Sequence, residues 1–362
     1  MNPINSTPKQ DGFFMPAESA PQQKVWMIWP ERPDNWRHQS QPAQLAFTKV
    51  AEAISQTTPV TMAVSEAQFE QARAQLPAHI DVVRIDNNDA WMRDVGPSYV
   101  INQQGQSRGI SWQFNAWGGE LDGLYSPWDN DDAIAAKVCQ IDNKDHYQAP
   151  FILEGGSIHV DGEGTVYTTE ECLLHPSRNP DLSKSQIEAY LKQYLGAEKV
   201  IWLPQGLYND ETNGHIDNIL HVVKPAEVVI TDCNDPEDPQ YPISKQAKAF
   251  LESQTDAKGR SIKVHTLPMP GPLYLTEAEA AGIAPSQGMK REAGERLAAS
   301  YANYLITNKQ IVFPLLDSQY DDQAQEILQN LYPDYLVTGV EAREIVLGGG
   351  NIHCITQQVP KS

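Results

Sequence analysis

The 362 residues include 27 Lys and Arg against 47 Asp and Glu, a formal net charge of −20. Nucleic acid and anionic membrane surfaces repel such a chain, which excludes both as principal partners and suits a cationic ligand. Its 40% hydrophobic and 20% charged residues are ordinary for a globular protein and wrong for a disordered one.

The start, MNPINSTPKQDGFF, lacks the basic and apolar stretches of a secretion signal. No run approaches the roughly 18 apolar residues of a membrane span. Cys139, Cys172, Cys233 and Cys354 form no close pair, so neither a disulfide framework nor a zinc ribbon is expected. A cytoplasmic protein with free thiols is the simplest reading.

In chain order, residues 25–29 form a strand that ends at Pro30. Phe47, Val50, Ala51 and Ile54 then repeat at helical spacing, with Pro42 near the helix start. Ser183 and Gln186 form a capping box, and Ile187, Leu191 and Leu195 continue that helix face. Strands are expected at 200–203, 227–231, 305–306, 311–313 and 344–347. Ala324, Ile327, Leu328 and Leu331 predict a last helix, stopped by Pro333. The class is mixed α/β.

Several polar motifs interrupt this pattern. Asp86, Asp89 and Asp94 gather around Trp91 and Arg93 before Gly96-Pro97. A guanidinium would use such carboxylates for its forked donors and an aromatic face for stacking, though an Asn/Asp-rich surface turn has the same composition. Phe114 to Gly119 adds a glycine turn beside Trp117, and Glu154 follows Leu153 ahead of Gly155-Gly156. In Asn213-Gly214-His215-Ile216-Asp217-Asn218, an extended backbone would put His215 and Asp217 on one side, suited to acid–base chemistry. That pair alone lacks the further ligands of a metal site.

Gly348-Gly349-Gly350 follow the expected strand and permit close approach of backbone to a ligand. Nothing in the run matches a phosphate loop. Cys354, just beyond, is placed as a nucleophile, and neighbouring cationic or imidazole groups would be needed to ionise it. The other cysteines read as small buried residues. Residues 153–160 and 347–354 also share a leucine, two glycines, an isoleucine and a histidine. Trp29-Pro30, Arg93-Asp94, Glu154, His215-x-Asp217 and Cys354 recur about every 60 to 70 residues, with one interval missing, which predicts five related modules around a shared axis.

Taken in order, these motifs resemble the agmatine deiminases, within the guanidine-modifying group that includes bacterial peptidyl-arginine deiminases. The resemblance also covers residues 12–18 and 27–37. It implies a five-bladed pseudo-symmetric α/β propeller of ββαβ-type modules, the pentein fold, as one catalytic domain over 1–362. It implies Cys354 as nucleophile, with His215, Glu154, Asp94 and Asp217 as catalytic partners and neither metal nor other cofactor. Asp94 and Asp217 would hold the guanidinium beside Trp91, Trp117 and Gly349, and Glu211 would reach the substrate's distal amine. The substrate implied is agmatine, hydrolysed to N-carbamoylputrescine and ammonia in putrescine and polyamine metabolism. Arginine or peptidyl-arginine is the rival, and would need an arginine clamp for its carboxylate that agmatine does not. A non-catalytic binding protein and a cysteine peptidase are further alternatives; the first would not need Cys354 and His215, the second would not need Asp94 and Glu154. A homo-oligomer is compatible with all of these.

Overall fold

A computed structural model describes residues 3–286, 289 and 291–361. Short β-branched and aromatic runs bounded by Pro, Gly and Asn make its strands, each too short to stand alone. Strand β1 (Gln22–Ile28) runs parallel to β2 (Val60–Val64), which runs parallel to β3 (Asp81–Arg84). The next four sheets share one plan: an antiparallel hairpin, a crossover helix, and a third strand parallel to the second. They are β4 (Ser98–Ile101), β5 (Ser107–Gln113) and β6 (His146–Ile152); β7 (His159–Val160), β8 (Thr165–Thr169) and β9 (Lys199–Leu203); β10 (Leu220–Lys224), β11 (Glu227–Asp232) and β12 (Lys263–Pro268); and β13 (Leu305–Thr307), β14 (Gln310–Leu315) and β15 (Leu336–Glu341). Finally β16 (Gln357–Pro360) returns to pair antiparallel with β1, giving the first sheet the same order with β3 added. The described strands thus form five separate sheets, none closed on itself.

Each parallel crossover needs a connection long enough to recross the sheet, and a helix supplies it. The helices are Gln41–Ser55, Phe69–Gln75, Ile134–Ile141, Lys184–Leu195, Gln240–Glu252 and Asp321–Leu331. Pro sits in the first turn of Gln41–Ser55, and the Ser183 capping box starts Lys184–Leu195, as expected. The largest apolar cluster joins the first sheet to Trp36, Trp91, Trp117 and Cys354. No described helix is long and apolar enough to cross a membrane.

Two expectations fail locally. Residues 344–347 are not a strand: Arg343–Val346 is a helical turn, with Ile345 and Val346 both buried. A short apolar run does not distinguish a strand from a buried helical turn, and β15 has already completed the sheet. Nor is the His215 segment extended. His215 precedes a turn of helix, Ile216–Ile219, whose first turn carries Asp217.

Candidate active site

Five chain segments meet at one buried centre, and each lies just ahead of β4, β7, β10, β13 or β16. A helical turn, Met92–Val95, carries Asp94 towards β4, and Glu154 precedes the 3-10 turn Gly155–Ser157 and β7. His215 and Asp217 lead into β10, Asn303 stands two residues before β13, and Cys354 lies in the turn before β16. Side chains at these sheet entries are all buried.

Cys354 Sγ lies 3.2 Å from Asn303 Nδ2 and 3.7 Å from Asp217 Oδ2. Asn303 also donates to Asn218 Oδ1 at 2.9 Å, and its own oxygen accepts the His353 backbone N–H at 2.9 Å. That network fixes the Cys354 turn against the His215–Asp217 turn. Across the cleft, Asp94 accepts from Trp117 Nε1 at 2.9 Å and from the Gly156 N–H at 2.8 Å. His215 spans the gap, with Nδ1 3.8 Å from Asp94 and Nε2 3.6 Å from Glu154. A Cβ on residue 156 would lie 2.6 Å from His215 Nδ1, 2.8 Å from Asp94 Oδ1 and 3.1 Å from Asp217 Oδ2, so only glycine lets these groups converge. Trp117 sits at φ 60 beside Ala116 at φ 53, a left-handed pair held in place to aim the indole.

Charge in this centre is set by burial and close neighbours. Burial, with the Asp217 and Glu154 carboxylates nearby, pushes the Asp94 carboxyl up to about 6 against the opposing pull of His215. Burial works against the Glu154 carboxylate too, but Arg178 and His215 outweigh it and bring Glu154 down to about 2. Arg178, fully buried, donates to Glu154 at 2.7 Å and directs its remaining donors to Ser177, Asn213 and Thr212. Burial opposes the His215 imidazolium, yet Asp94, Cys172 and Glu154 hold it well above its ordinary value. The Asp217 carboxyl is lowered despite burial, chiefly through His353. Burial drives the Cys354 thiol well above its usual range, and Asp217 and Asp94 push it the same way. Carboxylates flank the thiol, and the cationic groups expected near it, buried Arg93 and the charged His215, are present but do not offset burial and the two acids.

Trp91, Trp117, Asp94, His215, Glu211, Gly349 and Cys354 all line one small cleft. Glu154 and Asp217 stand behind it. A roomier cavity, about 260 Å³ between Asp232, Asp238, Met269 and Tyr320, lies elsewhere, so chemistry rather than size picks out the site. The Asp-rich motif divides: Asp86 is exposed, whereas Asp89 is buried and accepts from the Trp36 and Trp91 indoles, so it orients aromatics instead of facing the cleft. Arg93 is buried against His353 O and Gln357. Trp29 and Pro30 follow the first strand, away from the cleft lining.

Glu211 does not present a free carboxylate. Arg291 grips both its oxygens, at 2.6 and 2.8 Å, and donates to Gly348 O at 2.8 Å. An arginine thus stands beside the cleft, with its charge already matched by Glu211. Gly349, at φ 104, lies where any Cβ would collide with the Glu211 carboxylate.

Sequence reasoning misses Asn303, Arg178, Arg291, Glu18 and His353. Asn303 occupies the missing interval of the series, and its place just before the 305–306 strand is the available signal. The histidines matched in the repeat, His159 and His353, do meet, their rings stacked at 5.0 Å. Among the described residues, two groups bring three metal-ligand-type atoms together: Glu18, His159 and His353, and Glu154, Cys172 and His215. Both His353 nitrogens already face carboxylates, and Arg178 holds Glu154, so protein cations supply the positive charge in each.

The model of the Porphyromonas-type peptidyl-arginine deiminase family matches residues 14–360. A Photobacterium profundum protein named "Putative agmatine deiminase" is 63% identical over 358 residues, covering 99% of each chain. The solved structure of an Enterococcus faecalis agmatine deiminase, described as catalysing its reaction, superposes with a TM-score of 0.98 at 51% identity over 100% of both chains. A C. jejuni agmatine deiminase variant solved with substrate bound gives a TM-score of 0.83 at 26% identity, covering 97% of each.

Proposed function

We propose that this chain, which belongs to the Porphyromonas-type peptidyl-arginine deiminase family, hydrolyses agmatine to N-carbamoylputrescine and ammonia. The observation that carries the reading is a buried thiol flanked by two carboxylates and an imidazolium, in a cleft walled by two indoles. Such a centre suits a planar cation and penalises a neutral or anionic substrate.

Charge balance suggests how the thiol is activated. Buried Arg93, Arg178, His215 and His353 match Glu18, Asp94, Glu154 and Asp217. A guanidinium entering between Asp94 and Asp217 upsets that match, and loss of the Cys354 proton restores it. The thiolate attacks the guanidinium carbon. His215, charged and held between Asp94 and Glu154, protonates the departing nitrogen so that ammonia leaves and an amidino-thioether remains on Cys354. Neutral His215 then takes a proton from water, the hydroxide adds to the same carbon, and the thiolate departs as the ureido product forms. Asp94 and Asp217 hold the substrate plane throughout.

The Glu211–Arg291 pair favours agmatine over arginine: Arg291 has its charge matched and offers none to a substrate carboxylate. The five sheets, each with at least one site residue ahead of a strand, support a five-bladed propeller of ββαβ modules forming one catalytic domain over 1–362. A cytoplasmic enzyme of putrescine and polyamine metabolism completes the reading, and either a monomer or a homo-oligomer is compatible with it. Ammonia release from agmatine, free arginine and an arginyl peptide tests it. Agmatine is expected to be the preferred substrate by kcat/KM; release from arginine or the peptide alone would overturn the assignment.

A further inference from the structure

Behind the cleft, two charged groups that touch neither substrate nor reacting atoms, Glu18 and His353, lead to Asp217. His353, 1% exposed, has a carboxylate at each ring nitrogen: Asp217 Oδ2 lies 2.8 Å from Nδ1 and Glu18 Oε2 2.9 Å from Nε2. A neutral imidazole has one N–H, so it would turn a lone pair towards one of these carboxylates; only the imidazolium donates to both. Glu18 is itself fixed, because its other oxygen accepts the Ile306 N–H at 2.7 Å. The segment before the first strand is thereby tied to the strand that follows Asn303.

The remaining groups facing the ring sharpen its role. His159 stacks on it at 5.0 Å and His221 meets it edge-on at 5.4 Å. Burial and neighbouring positive charge hold both well below the ordinary histidine value, so they stay neutral. Arg93 lies close behind, and the Cys354 turn adjoins it. Burial and Arg93 oppose the His353 charge, and Glu18 and Asp217 overcome them. Asp217 then has one oxygen engaged by His353, while Oδ1 is buried without any hydrogen-bond partner among the described residues.

We propose that Glu18 is a positioning residue for the reaction: it holds His353 as an imidazolium, and the imidazolium fixes Asp217 so that Oδ1 is left for the substrate guanidinium. The inference rests on the deiminase reading for what Asp217 binds, but the charge state of His353 does not.

Glu18→Gln keeps the size of the side chain and removes its charge. His353 then loses its proton at lower pH, and the high-pH limb of the kcat/KM profile for agmatine should move down by at least about one pH unit. At pH 8, kcat/KM should fall about 10–100-fold, mostly through KM, since Asp217 binds ground and transition states alike. Glu18→Asp should recover part of the limb. A role confined to folding would lower the melting temperature and leave the limb in place, and that result would overturn the proposal. Nitrogen-15 spectra of wild-type protein give a check that needs no variant. His353 is expected to carry protons on both ring nitrogens at pH 7, and a singly protonated ring would equally overturn it. Wild-type protein that releases no ammonia from agmatine would instead count against the deiminase reading, with the spectrum still deciding the state of His353.

Discussion

Asp94 faces opposite demands from folding and from chemistry. Its carboxyl is raised from 3.8 to about 6, so the ionised form is disfavoured in the fold and favoured in the unfolded chain. The resulting penalty grows as pH rises from 3.8 towards 6 and is then constant, at about 3 kcal/mol. Above pH 6, Asp94→Asn should therefore melt no lower than wild type, with some of the gain offset because His215 loses a partner. Its kcat/KM for agmatine should fall by about 10²–10³ or more, because a guanidinium loses one of its two carboxylates. Wild-type activity should also decline as pH drops through about 6. Calorimetry beside a pH–rate profile checks both, and an active or strongly destabilised variant would contradict this role. Cys354, His215 and Glu154 are legible in the sequence because glycines mark their turns. Arg178 is not, since no local pattern announces a cation that reaches Glu154 from another loop. The thiol's environment is hidden for a related reason: spacing along the chain does not tell which charges surround a buried atom.

Among the elements, the proline-bounded strands and the capped helices are readable because local rules coincide with the tertiary outcome. Residues 344–347 and 215–217 are not, because both form single helical turns whose shape is fixed by what they connect. The last strand does more than close the first sheet. β16 pairs with β1 through Trp26↔Gln357 and Val25↔Gln358, buries Val359, and supplies Gln357 to Arg93. Removing residues 357–362 should lower the melting temperature by about 5–10 °C. Turnover of agmatine should fall more than about tenfold even though Cys354 remains, since the turn that carries it loses its anchor. A truncated protein with wild-type melting and activity would show that β16 does not hold the Cys354 turn.

Across the whole molecule, the same place in each sheet is reused: a turn before a strand delivers Asp94, Glu154, His215 with Asp217, Asn303, or Cys354. The near-regular spacing in the sequence hints at this, and the missing interval conceals Asn303 because it lies off the expected spacing and no glycine flags it. Trp29 belongs to the series by distance alone and sits just past the end of a strand. A net charge of −20 attracts a dication to the molecule at low salt, while selection falls to the few buried carboxylates. What the mechanism requires above all is a covalent bond between Cys354 and agmatine. Acid quenching during turnover, followed by mass analysis of the cysteine peptides, looks for that bond. An adduct of agmatine less ammonia is expected on the Cys354 peptide and on no other. An adduct on Cys139, Cys172 or Cys233, or turnover of agmatine by Cys354→Ser at the wild-type rate, would contradict it.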